Sequence, residues 1–128
     1  MPDSRSPYQY AIIRVVPRVE RGERLNVGVV LLSRAHRYLD AMTALDERRL
    51  AVLAPDCDPA AVAPHLAAIE AIARGDASGG PMAAKSIAER FHWLVAPSST
   101  IIQASAVHTG LTDDPAAELE HLMTTLVG

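Results

Sequence analysis

Two apolar runs near the start of the chain, YQYAIIRVV at 8–16 and LNVGVVLLS at 25–33, constrain the fold more than any other feature. Both are rich in aromatic and β-branched residues, the composition of strands. The first stops at Pro17, which has no N–H to give to a ladder. Between them lies the mostly polar PRVERGER, which carries Gly22 and is short enough to close a hairpin. Strand alternation in the second run would put Val27, Val29 and Leu31 on one face and Asn26, Gly28, Val30 and Leu32 on the other. RYLDAMT at 37–43 predicts a third strand after the tight RAH, so the chain opens as an antiparallel meander.

From Asp46 the composition turns to Ala, Leu, Glu and Arg, the strong helix formers. DERRLAVLA predicts a short helix capped by Asp46 and ended by Pro55. DPAAVAPHLAAIEAIARG predicts a longer one, with Asp58 as cap, Pro59 at its first position and Gly75 past its end. Pro64 inside it implies a kink or a restart. AAKSIAERFHWLV places Ile87, Phe91, Leu94 and Val95 at helical spacing, and DPAAELEHLMTTLV places Leu119, Leu122, Met123 and Leu126 inward. STIIQASAV reads as a strand near 100–107. The expected architecture is α+β: a small antiparallel sheet, the N-terminal three-stranded meander plus a fourth strand, packed against several helices that cover one face.

At 128 residues the chain has the length of one domain, read here as 1–128 with a flexible N-terminus at 1–7 and a flexible loop at 75–81. Apolar residues form 49% and charged residues 21%, the proportions of an ordinary soluble protein, not of a disordered one. The single cysteine, Cys57, excludes an intramolecular disulfide and a cysteine zinc cage, and its neighbours in PDCDP disfavour a thiolate. No apolar leader opens the chain and no apolar run is long enough for a membrane span, so a cytoplasmic protein without a membrane partner is expected. Net charge is only −3, but residues 1–37 hold seven arginines against three acids, and 38–128 hold five bases against twelve acids. A basic front can receive phosphates or carboxylates, or simply line the exposed turns of a hairpin.

Several catalytic patterns fail on inspection. Glu89…His92 and Glu118…His121 have the Glu-x-x-His spacing of di-iron bundles, but at 100° per residue they fall opposite the apolar stripes and face solvent. A Ser-His-Asp triad drawn from Ser105 or Ser99 with His108 and Asp113 lacks the glycine turn that builds an oxyanion hole. Asp113 and Asp114 read as a helix start with Pro115, and Ser98, Ser99 and Thr100 as a turn after Pro97. SGGPMAAKS is not a phosphate loop, its lysine lying too far from the glycines. No catalytic residue, metal ligand or cofactor site is assigned.

Two features carry more weight. Arg14 lies in an apolar strand, where its charge must be paired or emerge at a polar patch. Asn26 and Gly28 occupy the adjacent strand, and a strand glycine implies a bulge or the close approach of another group. If Arg14 and Asn26 meet Ser105, His108 and Thr109 of the SAVHTG loop at one end of the sheet, they form either a structural hydrogen-bond network or an anion-binding pocket. Trp93, the only tryptophan, falls off the Phe91 stripe and can either anchor a partner or pack under the following loop.

YQYAIIRVVPRVERGERLNVGVVLL and ERFHWLVAPSSTIIQASAVHTGLTDDP resemble the bacterial DUF3037 family, a domain of unknown function, over nearly the whole chain. The family pattern reads APRST where this chain has Ala96-Pro97-Ser98-Ser99-Thr100, so a family arginine is replaced by Ser98. The resemblance implies a compact bacterial protein that accompanies HipA-like kinases. The first functional expectation is therefore a cytoplasmic interaction or accessory module, a partner of a HipA-like kinase, with Arg18, Arg21, Arg24 and Trp93 as contact surface. The alternative is a hydrolase or phosphoryl-handling enzyme using Arg14, Ser105 and His108. A nucleic-acid binder is disfavoured by the negative net charge and the lack of interleaved aromatics. A homodimer through an exposed strand edge or helix is also expected of so small a domain.

Overall fold

The computed structural model describes residues 4–98 and 100–128. Ser99, expected in the turn after Pro97 and as one triad nucleophile, lies outside the described residues, as does 1–3 of the N-terminus. Five strands form one antiparallel sheet: β1 Ser6–Val15, β2 Leu25–Ser33, β3 Tyr38–Thr43, β4 Ile102–Ala104 and β5 His108–Thr112. Their order is β3-β2-β1-β4, with β5 also paired to β1. β4 and β5 follow one another along one edge of β1, residues 13–15 pairing with β4 and 6–10 with β5.

The expected strand near 100–107 is thus shorter than its apolar run, and SAVHTG is not wholly a loop, because His108 and Thr109 begin β5. Gly110 weakens that strand as a sequence signal. In the fold it sits directly opposite Tyr8, whose ring lies where a Cβ would be, 2.6 Å away. An aromatic ring laid over a cross-strand glycine supplies the contact that the glycine lacks.

Four helices complete the chain: α1 Glu47–Leu53, α2 Pro59–Arg74, α3 Ile87–Leu94 and α4 Pro115–Leu126. Local chemistry sets their starts. Asp46 accepts hydrogen bonds from the backbone N–H groups of Arg48 and Arg49, Asp58 from Ala60, Ser86 from Glu89, and Asp114 from Ala117. Each satisfies first-turn donors that have no partner within the helix, worth about 1 kcal/mol apiece. α2 runs as a single helix through Pro64 and ends at Gly75, whose φ of 72° is the left-handed cap conformation. Between α2 and α3, 3-10 turns at Ala77–Gly79 and Pro81–Ala84 fill the glycine-rich stretch, the first of them capped by Asp76.

Helices cover both faces of the sheet, not one. On one face Ala11, Ile13, Val30 and Leu32 pack with Val62 and Leu66 of α2 and Phe91 of α3. On the other, Tyr8, Val29 and Leu31 pack with Leu119 and Leu122 of α4. The strict alternation expected of β2 also breaks. The β1–β2 register slips between Ile13, opposite Gly28, and Arg14, opposite Asn26, leaving Val27 as the extra residue of a bulge. Val27 consequently joins Val30 and Leu32 in the α2 and α3 core, whereas Val29 and Leu31 face α4.

The Tyr8 hydroxyl donates to Glu118 Oε1 at 2.8 Å, so Glu118 is half-buried at the sheet and not turned to solvent as its helical phase suggested. Burial, and then the bond to Glu118, pushes the Tyr8 hydroxyl up to about 12, and burial with the nearby Asp40 carboxylate pushes Tyr38 to about 12. Both folded values lie above the ordinary value of 10.0. The stability these neutral phenols support is therefore complete below pH 10 and lost as pH rises through the folded values. The urea midpoint should decline between pH 10 and 12, and Tyr8→Phe should remove part of that decline; an unchanged slope would contradict the burial of Tyr8.

Candidate functional site

Arg14 leaves β1 at the bulge, and its Nε donates to Asn26 Oδ1 at 3.2 Å. Asn26 Nδ2 donates in turn to the carbonyl of Leu126, the last residue of α4, at 3.0 Å. A terminal helix carbonyl has no partner within its own helix, so this amide bridges β1, β2 and the end of α4. The pair expected from the sequence is therefore formed, and it is structural on the Asn26 side. The outward side of Arg14 is different. Its guanidinium opens onto a cavity of about 260 Å³ lined by Arg24, Gln103, Ser105 and the chain around Gly22 and Ala106. Burial, and then the charge of Arg24, lowers the pKa of Arg14 from its ordinary value. Among the described residues no carboxylate pairs with either arginine.

Ser105 lines the same cavity but is committed elsewhere. Between the β4 and β5 pairings, Ala11 and Ile12 of β1 stand against three residues, Ser105, Ala106 and Val107, which makes a second bulge. Ser105 closes it. Its N–H donates to the Ile12 carbonyl at 2.8 Å, its Oγ accepts the Ile12 N–H at 2.8 Å, and the hydroxyl donates to the Ala106 carbonyl at 2.9 Å. The side chain replaces the ladder acceptor that the bulge removes.

His108 and Thr109 do not join the cluster. His108 stands opposite Tyr10, with ring centroids 5.2 Å apart. Tyr10 is four residues from Arg14 along β1, a separation of about 13 Å at strand rise. Thr109 pairs with Gln9 and so points to the opposite face from His108. Two other residues share the Arg14 cavity without having been singled out for it: Arg24, which returns to the hairpin base, and Gln103, which β4 sets opposite Arg14. Alternation of Gln103 between Ile102 and Ala104 was the available signal.

The expected partner surface divides into two places. Arg18 pairs with Asp56 at 2.7 Å and Arg21 with Glu23, both at the surface. Trp93 is 53% exposed on α3, with Phe91 buried beneath the same helix. It lies between two depressions, one of about 340 Å³ reaching Ile69, Ile72 and Ile102, the other bordered by Met82, Ala88 and His92. The hairpin arginines line separate depressions, two of them shared with the α1 end of the molecule.

Among the described residues no three His, Cys, Asp or Glu side chains gather as a metal site, and no helix is long and apolar enough to cross a membrane. No curated protein and no solved structure matches the chain. The family described as "Protein of unknown function (DUF3037)" matches residues 10–127.

Proposed function

The chain belongs to the DUF3037 family, and from that premise we propose that it is a cytoplasmic bacterial accessory module that works by binding another protein. The observation that carries this reading is Trp93, an exposed indole at the mouth of an apolar depression lined by Ile69, Ile72, Leu94 and Ile102. Binding hot spots are enriched in tryptophan and cluster in well-packed pockets. The depression borders β4, an outer strand in the sheet order, where a partner segment can add main-chain hydrogen bonds to side-chain contacts. The partner suggested by the family resemblance is a HipA-like kinase. A hydrolase or phosphoryl-handling enzyme built on Arg14, Ser105 and His108 finds less support, since the Ser105 hydroxyl closes a bulge and His108 stands beside Tyr10.

Calorimetric titration with the HipA-like kinase of the same genome tests the proposal. The expected result is saturable binding, a blue shift of the emission from the only tryptophan, and at least tenfold weaker binding by Trp93→Ala, a loss of about 1.4 kcal/mol or more. Absence of heat and of any emission change removes the kinase as partner. Binding at full strength by Trp93→Ala removes the groove. Sedimentation equilibrium of the protein alone separates self-association through the same surface.

A further inference from the structure

Arg14 and Arg24 line one small cavity in which no acidic side chain takes part, although acids outnumber bases in the chain as a whole. The neighbouring hairpin arginines are compensated, Arg18 by Asp56 and Arg21 by Glu23. Arg14 is not free to swing away from the cavity, because its Nε is held by Asn26, which is itself held by the end of α4. That bond occupies one edge of the guanidinium and leaves both Nη groups without a hydrogen-bond partner among the described residues. Gln103, opposite Arg14 across the β1–β4 ladder, gives one amide hydrogen to the Thr100 carbonyl, and its side-chain amide carries a second.

Two convergent cations without a counter-ion repel each other, and an oxyanion between them turns that repulsion into two attractions. Guanidinium groups bind phosphate oxygens in pairs, and a tethered guanidinium loses less freedom in doing so. The volume, about 260 Å³, falls below the roughly 300–1,000 Å³ of pockets that enclose drug-sized molecules. It suits a phosphoryl group with a few further atoms.

We propose that the cavity between Arg14 and Arg24, closed by Gln103 and the Ser105 bulge, is a binding site for the phosphoryl group of a small phosphomonoester. Arg14 is its fixed cation and Arg24 its adjustable one. No bond is made or broken there, and the site is separate from the Trp93 groove, so a small ligand and a protein partner can be bound together.

The test titrates the full chain with inorganic phosphate and with ethyl phosphate, against sodium chloride at matched ionic strength, reading both calorimetry and melting temperature. Saturable binding of one phosphate is expected. Arg24→Gln, an exposed substitution away from both cores, should weaken it about tenfold. Gln103→Glu, which supplies an internal carboxylate, should weaken it at least as much. Circular dichroism confirms that each variant is folded. Ethyl phosphate, whose second ionisation lies near pH 6, should bind more tightly at pH 7.5 than at pH 5.5. Vesicles of phosphatidic acid in phosphatidylcholine distinguish a lipid headgroup from a soluble ester as the source of the phosphoryl group. The proposal is overturned if melting responds to phosphate no more than to matched chloride, or if Arg24→Gln and Gln103→Glu keep the affinity of the parent protein.

Discussion

Gly28→Ala lowers stability by about 2–3 kcal/mol, near the upper end of what added volume costs in a packed interior. Gly28 is fully enclosed in β2, opposite Thr43 of β3 on one side and Ile13 of β1 on the other. A Cβ there would stand 2.6 Å from the Met42 carbonyl oxygen, 3.0 Å from Thr43 Cγ2 and 3.3 Å from Ile13 Cδ1. The nearest atom belongs to the backbone of a paired strand, so no side-chain rotation relieves the contact and β3 must move as a unit. That movement disturbs the contacts between β3 and α2, in which Thr43 bonds to Glu70 and Arg74 holds Asp40 at 2.9 Å. Urea denaturation should show a lower midpoint with an unchanged slope, the mark of lost stability without a change in exposed surface. A midpoint equal to that of the parent protein would mean that β3 does not lie against Gly28 as described. The proposed phosphoryl site should survive in the fraction of Gly28→Ala that remains folded, because Arg14 and Arg24 lie past the bulge.

How much of this was legible in the sequence depends on the range of the interaction. Helix starts were legible, because Asp46, Asp58 and Asp114 each act on backbone groups two or three residues away. The hairpin was legible for the same reason, through Pro17, Gly22 and the β-branched runs, and β3 through the tight RAH that precedes it. β5 was not, since the contacts that hold it, the Tyr8 ring over Gly110 and the Tyr10 ring beside His108, join residues far apart in sequence. Coverage of both faces was legible in retrospect. Val29, Val30, Leu31 and Leu32 are consecutive, apolar and almost completely buried, a pattern that a sheet with one wet face does not need. The bulge was signalled by Gly28 beside it, but the face that Val27 takes was not, because valine suits either face.

The candidate site divides along the same line. Arg14 with Asn26 followed from strand adjacency, and an arginine in an apolar strand had to find a polar neighbour. Which residues of SAVHTG would join them depended on register. The extra residue in the second bulge sends Ser105 inward, whereas His108 and Thr109 pair farther along β1 and point to opposite faces. Arg24 was assigned to a partner surface because its position in the hairpin says nothing about the direction of its side chain. The cavity shared with Arg14 gives it a second role.

Ser105→Ala separates a scaffold role for Ser105 from a chemical one, with an expected loss of about 1–3 kcal/mol, the penalty for a buried donor left without a partner. The donor is the Ile12 N–H, which Ser105 Oγ accepts at 2.8 Å beneath a side chain only 8% exposed. Alanine keeps the backbone bond from Ser105 N–H to the Ile12 carbonyl, so the bulge can persist while the Ile12 amide goes unsatisfied. Amide hydrogen exchange should therefore quicken at Ile12 and its immediate neighbours more than at Val30 or Leu66, and the melting temperature should fall. Phosphate affinity should change little, because the Ser105 hydroxyl already gives its hydrogen to the Ala106 carbonyl and has none to offer a ligand. A nucleophilic serine would behave in the opposite way, its removal leaving stability intact while abolishing turnover. Unchanged melting together with unchanged exchange at Ile12 would take Ser105 out of the scaffold and return it to consideration as a reacting group.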